Sequence, residues 1–147
     1  MTHQLDHAGI AALVPHAGSM CLLDHTLAWN ADSITCGAVS HRDVANPLRR
    51  GGVLPAVCGV EYALQAMALH GALTAQDGPQ AAGYLASLRN LDLGAERLDD
   101  VTADLLVEAT ALAREARSFV YAFRVTADGA ALLSGQAAII LPPEPGA

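Results

Sequence analysis

The longest run of apolar positions lies at residues 56–73 (AVCGVEYALQAMALHGAL). Its length and its Ala, Leu and Met content predict a helix, and Pro55 suits an early helical position. Such a helix would be about 27 Å long and apolar nearly all round, so it should be buried on most of its circumference. Glu61 and Gln65 interrupt it four residues apart and share one face. A shorter helix fits residues 4–13, stopped by Pro15. Strands are predicted at 20–29 and 33–40 around Asn30-Ala31-Asp32, and at 83–93, 101–113, 117–127 and 130–141. The turns of the second group fall at Asp99-Asp100, Arg114–Ala116 and Asp128-Gly129. Between the second strand and the long helix, His41 to Gly52 is polar and rich in Pro and Gly, which argues against a regular element there. A loop pinned in this way between a strand and a helix is a plausible functional site.

Two strands, one buried helix and four more strands make an α+β domain with an antiparallel sheet wrapped around the helix. The 147 residues suit one such domain, spanning 1–147. One helix cannot cover both faces of six strands, so an edge or open face should meet a second subunit, and a dimer is expected. Composition narrows the function. Hydrophobic residues make up 52% and charged residues 16%, so the chain is not disordered. All eight basic residues are arginine, and the net charge of −7 argues against nucleic acid as a partner. No apolar run is long enough for a membrane span, and no basic segment leads into an apolar one at the start, so a cytoplasmic location is expected. Cys21, Cys36 and Cys58 are odd in number and widely spaced, which reads as isolated apolar thiols with no metal site.

Two strings carry a family resemblance. Pro15-His16 precedes Leu22-Leu23-Asp24, and Val53-Leu54-Pro55 leads into the helix bearing Glu61 and Gln65. The chain thereby resembles the β-hydroxyacyl-acyl carrier protein dehydratases of the hot-dog fold, over residues 13–94 by motif and beyond by strand pattern alone. It is most similar to the dehydratase-like branch associated with aryl polyene biosynthesis. The resemblance implies a 3-hydroxyacyl thioester as substrate, presented on the phosphopantetheine of an acyl carrier protein, with no resident cofactor. One departure stands out. The family's Gly-His-Phe-Pro-Gly string is absent, no histidine lies between Asn46 and His70, and the nearest upstream one is His41.

Loss of water from such a thioester needs one group to take the C2 proton and another to protonate the departing hydroxyl. Glu61, on an otherwise apolar helix, is the candidate acid, because apolar surroundings favour a protonated, donating carboxyl. Its alternative is an exposed or arginine-paired carboxylate. His41, which opens the loop feeding the helix, and His16, beside the early proline, compete as base. Gln65 could orient Glu61, bind the substrate hydroxyl, or be a structural amide satisfied by backbone. The first-turn amides of Val57 and Cys58, with Gly59 allowing close approach, could polarise the thioester carbonyl. Arg49 and Arg50 could meet the phosphopantetheine or an acidic carrier protein. The rival functions are a hot-dog acyl thioesterase and a partner subunit without activity of its own, the latter prompted by the missing histidine.

Overall fold

The computed structural model describes residues 4–14, 20–74 and 84–141. Helix α1 (His7–Leu13) is capped by Asp6, whose carboxylate accepts the Gly9 N–H at 2.9 Å. Strands β1 (His25–Trp29) and β2 (Ser33–Ala38) follow, then the long helix α2 (Gly59–Thr74). Four strands complete the domain: β3 (Tyr84–Leu93), β4 (Leu105–Arg114), β5 (Ser118–Ala127) and β6 (Ala130–Ile140). They form one antiparallel sheet in the order β1-β2-β4-β5-β6-β3. This is the α+β arrangement expected from the apolar pattern, and the hot-dog fold that the family resemblance implies. The expected loop at 76–79 lies outside the described residues.

Turn chemistry acts where the sequence placed it. Asn30 Oδ1 accepts the N–H groups of Asp32 and Ser33, closing the β1–β2 hairpin. Asp128 and Gly129 both take positive φ (51° and 81°), which a tight two-residue hairpin between β5 and β6 requires. A second hairpin of this kind sits inside the loop expected to be irregular. Arg50 and Val53 exchange backbone hydrogen bonds of 2.8 and 3.0 Å around Gly51 and Gly52, whose φ values of +58° and +80° favour glycine.

Three boundaries differ from the sequence pattern, each for a hydrogen-bonding reason. The first strand begins at His25 and not at residue 20, because the Leu22 N–H is held by a side chain of α2 and not by a neighbouring strand. The α-helix begins at Gly59, after a 3-10 turn over Ala56–Cys58 in which the Cys58 N–H bonds to the Pro55 carbonyl at 3.0 Å. The fourth strand begins at Leu105, because residues 95–104 form an irregular strap that packs against the entry to α2.

Nearly all of α2 is enclosed by the sheet, with Tyr62, Ala63, Ala66 and Leu69 wholly buried. Gly59 packs so closely on Leu133 of β6 that a Cβ there would come within 2.5 Å of the leucine side chain. At the far edge β3 is exposed along most of its length, with Tyr84, Leu85, Leu91 and Leu93 uncovered. No helix among the described residues is long and apolar enough to cross a membrane.

His70 closes the buried end of α2. Its Nε2–H donates to the Asn30 carbonyl (2.9 Å), and its Nδ1 accepts the Tyr121 hydroxyl (2.7 Å). Burial lowers its proton affinity from the ordinary 6.5, against the opposing pull of the Asn30 carbonyl. Because the folded pKa lies below the unfolded one, the unfolded chain binds more protons in between, and stability falls as pH drops below about 6.5. Urea unfolding between pH 8 and pH 5 should show this loss. His70→Gln should lower stability at pH 8 yet flatten the slope; an unchanged slope would show that the imidazole does not carry it.

Candidate active site

The entry to α2 brings together three of the expected positions. Val57 is exposed, and its N–H lacks a backbone acceptor among the described residues. Glu61 is half-buried one turn on, with no hydrogen bond or ion pair to its carboxylate among the described residues. Cys58 lies between them, half-buried and free. Burial pushes its thiol up, the Glu61 carboxylate adds to this, and the Arg50 guanidinium opposes it. A thiol so held is a poor nucleophile at neutral pH. Cys36, deep in the core, is pushed up to about 12. Of the two amides expected to polarise a carbonyl, only that of Val57 is open, since Cys58 N–H is taken by Pro55. Gly59 serves the close approach of helix to sheet.

His41 sits in a 3-10 turn over Ser40–Arg42 and is wholly buried. Its Nε2 faces the carbonyls of Val101 (3.1 Å) and Ala103 (3.0 Å). Carbonyls only accept, so Nε2 carries the proton. Burial lowers the ring's proton affinity more strongly than the two carbonyls raise it. The imidazole is therefore neutral at pH 7, and Nδ1 presents a lone pair. That atom is buried and has no hydrogen-bond partner among the described residues. His16, the competing base, lies outside the described residues.

Gln65 does not reach towards Glu61. Its Oε1 accepts the Leu22 N–H at 2.8 Å, and its Nε2 donates to the Met20 carbonyl. The amide thus replaces a missing strand partner for residues 20–22, which is the structural alternative weighed for Gln65. Arg49 is engaged with the backbone likewise. Its guanidinium donates to the carbonyls of His41 (3.1 Å) and Gly52 (3.1 Å), bracing the loop. Arg50 is exposed and donates only to nearby carbonyls, so its charge is open to a partner.

Tyr62, Asn46 and Ser40 form a network that residue type alone did not disclose. Asn46 Nδ2 donates to the Tyr62 oxygen (3.1 Å), the Tyr62 hydroxyl donates to Ser40 Oγ (2.8 Å), and Ser40 donates to the Leu22 carbonyl (2.7 Å). The chain of bonds ties the loop to α2 beside both Glu61 and His41. The available signal was the tyrosine itself, since a hydroxyl on so apolar a helix needs an internal partner. A cleft of about 180 Å³ opens beside this network between Leu23, Asp24, Val39 and Asp43, and does not reach Glu61.

A long helix enclosed by a six-stranded antiparallel sheet defines a hot-dog protein. The chain belongs to the ApeP-like family of ApeP dehydratases, which matches residues 8–147. It is accordingly a dehydratase-like enzyme of the lyase class, in the aryl polyene-associated branch. Among solved structures it is similar to the dehydratase heterocomplex ApeI:P from Xenorhabdus doucetiae, at 19% identity and a TM-score of 0.80 over 95% of this chain and 93% of that one. A thioesterase from Haemophilus influenzae matches at 14% identity and a TM-score of 0.68, over 97% of this chain and 96% of that one. A mutant thioesterase from Pseudomonas aeruginosa matches at 16% identity and 0.59, over 81% of each chain. At these identities the structural matches establish the fold. A search of the curated proteins found no match.

Gln65→Met keeps the volume and removes both backbone contacts, leaving the buried Leu22 N–H without an acceptor. Stability should fall by on the order of 1–3 kcal/mol in urea unfolding. Turnover lost with unchanged stability would instead make Gln65 a substrate ligand.

Proposed function

We propose that the chain removes water from a 3-hydroxyacyl thioester carried by an acyl carrier protein, giving a trans-2-enoyl thioester. Glu61 protonates the departing hydroxyl, and His41 Nδ1 takes the C2 proton. The observation that carries this reading is the state of Glu61, a half-buried carboxylate on the first turn of a buried helix, with no partner among the described residues. The neutral His41 ring, with Nε2–H fixed and Nδ1 unpartnered, suits an acceptor for that proton. The Val57 N–H, with no backbone acceptor among the described residues, supports a role as donor to the thioester oxygen, whose developing charge such a donor stabilises. Elimination needs no resident cofactor, because the phosphopantetheine arrives with the substrate. Arg50 supplies positive charge for an acidic carrier on an otherwise acidic protein. Three free thiols suit a reducing, cytoplasmic setting.

The exposed β3 edge, with its uncovered Tyr84, Leu91 and Leu93, supports assembly through this strand into a homodimer or with a second hot-dog chain. The complete enclosure of His41 favours a second reading, in which the partner chain supplies the base and this one supplies Glu61. The similar ApeI:P assembly is itself a dehydratase heterocomplex.

Glu61→Gln should reduce enoyl formation by about 10²–10⁴-fold while the fold is retained. Mass spectrometry of a 3-hydroxyacyl-carrier protein incubated with the purified protein measures this directly. Release of free acid and thiol would mark a thioesterase. His41→Asn should cause a comparable loss if His41 is the base. Activity that survives in His41→Asn, or appears only when a second hot-dog chain is added, would transfer the base to His16 or to the partner.

A further inference from the structure

The strap over residues 95–104 touches both halves of the site. Leu54 N–H donates to Asp99 Oδ1 at 2.8 Å, Leu98 N–H to the Leu54 carbonyl at 2.8 Å, and Ala56 N–H to the Glu96 carbonyl at 3.0 Å. These bonds fix the last residues before Val57 and the first turn of α2. The same segment then turns, closed by Val101 N–H on the Leu98 carbonyl at 3.0 Å, and offers the Val101 and Ala103 carbonyls to His41. Arg42, next to His41, donates to the Thr102 carbonyl (2.7 Å) and pairs with Asp104 (2.9 Å).

Asp99 holds the centre of this strap. Its carboxylate takes the Leu54 N–H and a two-pronged contact from the Arg97 guanidinium, with the Arg97 Nε at 3.0 Å from Oδ1. The Asp99 side chain is only 7% exposed, whereas Arg97 is 43% exposed, so the aspartate is the enclosed member of the pair. Leu54 is wholly buried, and its N–H has no water to turn to if the carboxylate is lost.

We infer that Asp99 is a positioning residue for the reaction, locking the entry of α2 and the carbonyls that orient His41 into one frame. This rests on the reading of Glu61 and His41 as the working pair. The carboxylate touches neither reacting atom and acts through the backbone at Leu54, while the Leu98–Val101 turn in which Asp99 sits carries the carbonyls that face His41. A small displacement of either half matters, because misplacing a reacting group by about 1 Å can cost on the order of 10²-fold in rate.

The test compares Asp99→Ala, Asp99→Asn and Arg97→Gln in the full chain, together with its partner chain if one is needed for activity. With a 3-hydroxyacyl-carrier protein as substrate, Asp99→Ala should lower kcat by on the order of 10²-fold with KM changed much less. Asp99→Asn, which keeps an oxygen for the Leu54 N–H, should recover most of the rate. Arg97→Gln keeps the whole carboxylate, folds independently of the outcome for Asp99→Ala, and should show a smaller loss. A readout separate from turnover is nitrogen NMR of the His41 ring, with hydrogen exchange at Leu54 and Ala56. Asp99→Ala should shift the ring signals and speed exchange at both amides. A kcat loss no larger than the loss of folded protein, or ring signals that do not move, would overturn the inference. If the unaltered protein forms no enoyl product, the dehydratase reading fails on its own, and the ring and exchange signals still decide whether Asp99 joins the two halves.

Discussion

Helix α2 is enclosed on all but a narrow strip through Glu61, Leu64 and Ala68 and its last residues, and a polar side chain on such a helix must either find an internal partner or reach that strip. Leaving a buried hydrogen-bonding group unpaired costs on the order of 1–3 kcal/mol, so the fold is organised around these few positions. Tyr62 binds Ser40 and Asn46, Gln65 binds the backbone at Met20 and Leu22, and His70 binds Tyr121 and Asn30. Each pairing ties a different part of the chain to the helix. Glu61 alone of the set reaches the open strip, and it does so without a partner among the described residues. On this helix, the carboxylate is the polar group that folding leaves without a partner among the described residues.

Around that entry the loop and the strap work as a brace. Arg49 binds the His41 and Gly52 carbonyls, Gly51-Gly52 turn the chain tightly, and Asp99 receives the Leu54 N–H. The result is a braced approach to α2 that leaves the Val57 amide without a backbone acceptor among the described residues. Rigidity here has a chemical consequence, since proton transfer depends on groups already held in place when the substrate arrives. The His41 ring shows the same economy of means: two carbonyls fix its tautomer, and burial keeps it neutral.

Much of this was legible in the chain. Every strand and both helices lie where the apolar pattern put them, to within a few residues, because period and turn chemistry are local properties. Glu61 stood out because a carboxylate on so apolar a helix is unusual. Reading 20–29 as one strand failed at its first half, since Leu22 bonds to a glutamine of α2 and not to a neighbouring strand. Asp99 read as a turn residue, as its neighbour Asp100 suggests, and nothing beside it announces a clamp on Leu54.

The sequence by itself determined the α+β order, the buried helix, the hairpin turns and the carboxylate at the helix entry. It also carried the family resemblance through Pro15-His16, Val53-Leu54-Pro55 and the Glu61–Gln65 spacing. Only the tertiary structure decided which polar groups are spent on holding the fold. Gln65 meets Leu22 across 43 positions, Asp99 meets Leu54 across 45, and His41 meets Val101 and Ala103 across 60 and 62. Donors and acceptors so far apart in the chain carry no mark of one another in residue type or spacing. Their pairing follows from how the sheet wraps the helix, and that wrapping separates the arginine and glutamine that brace the site from the glutamate left open within it.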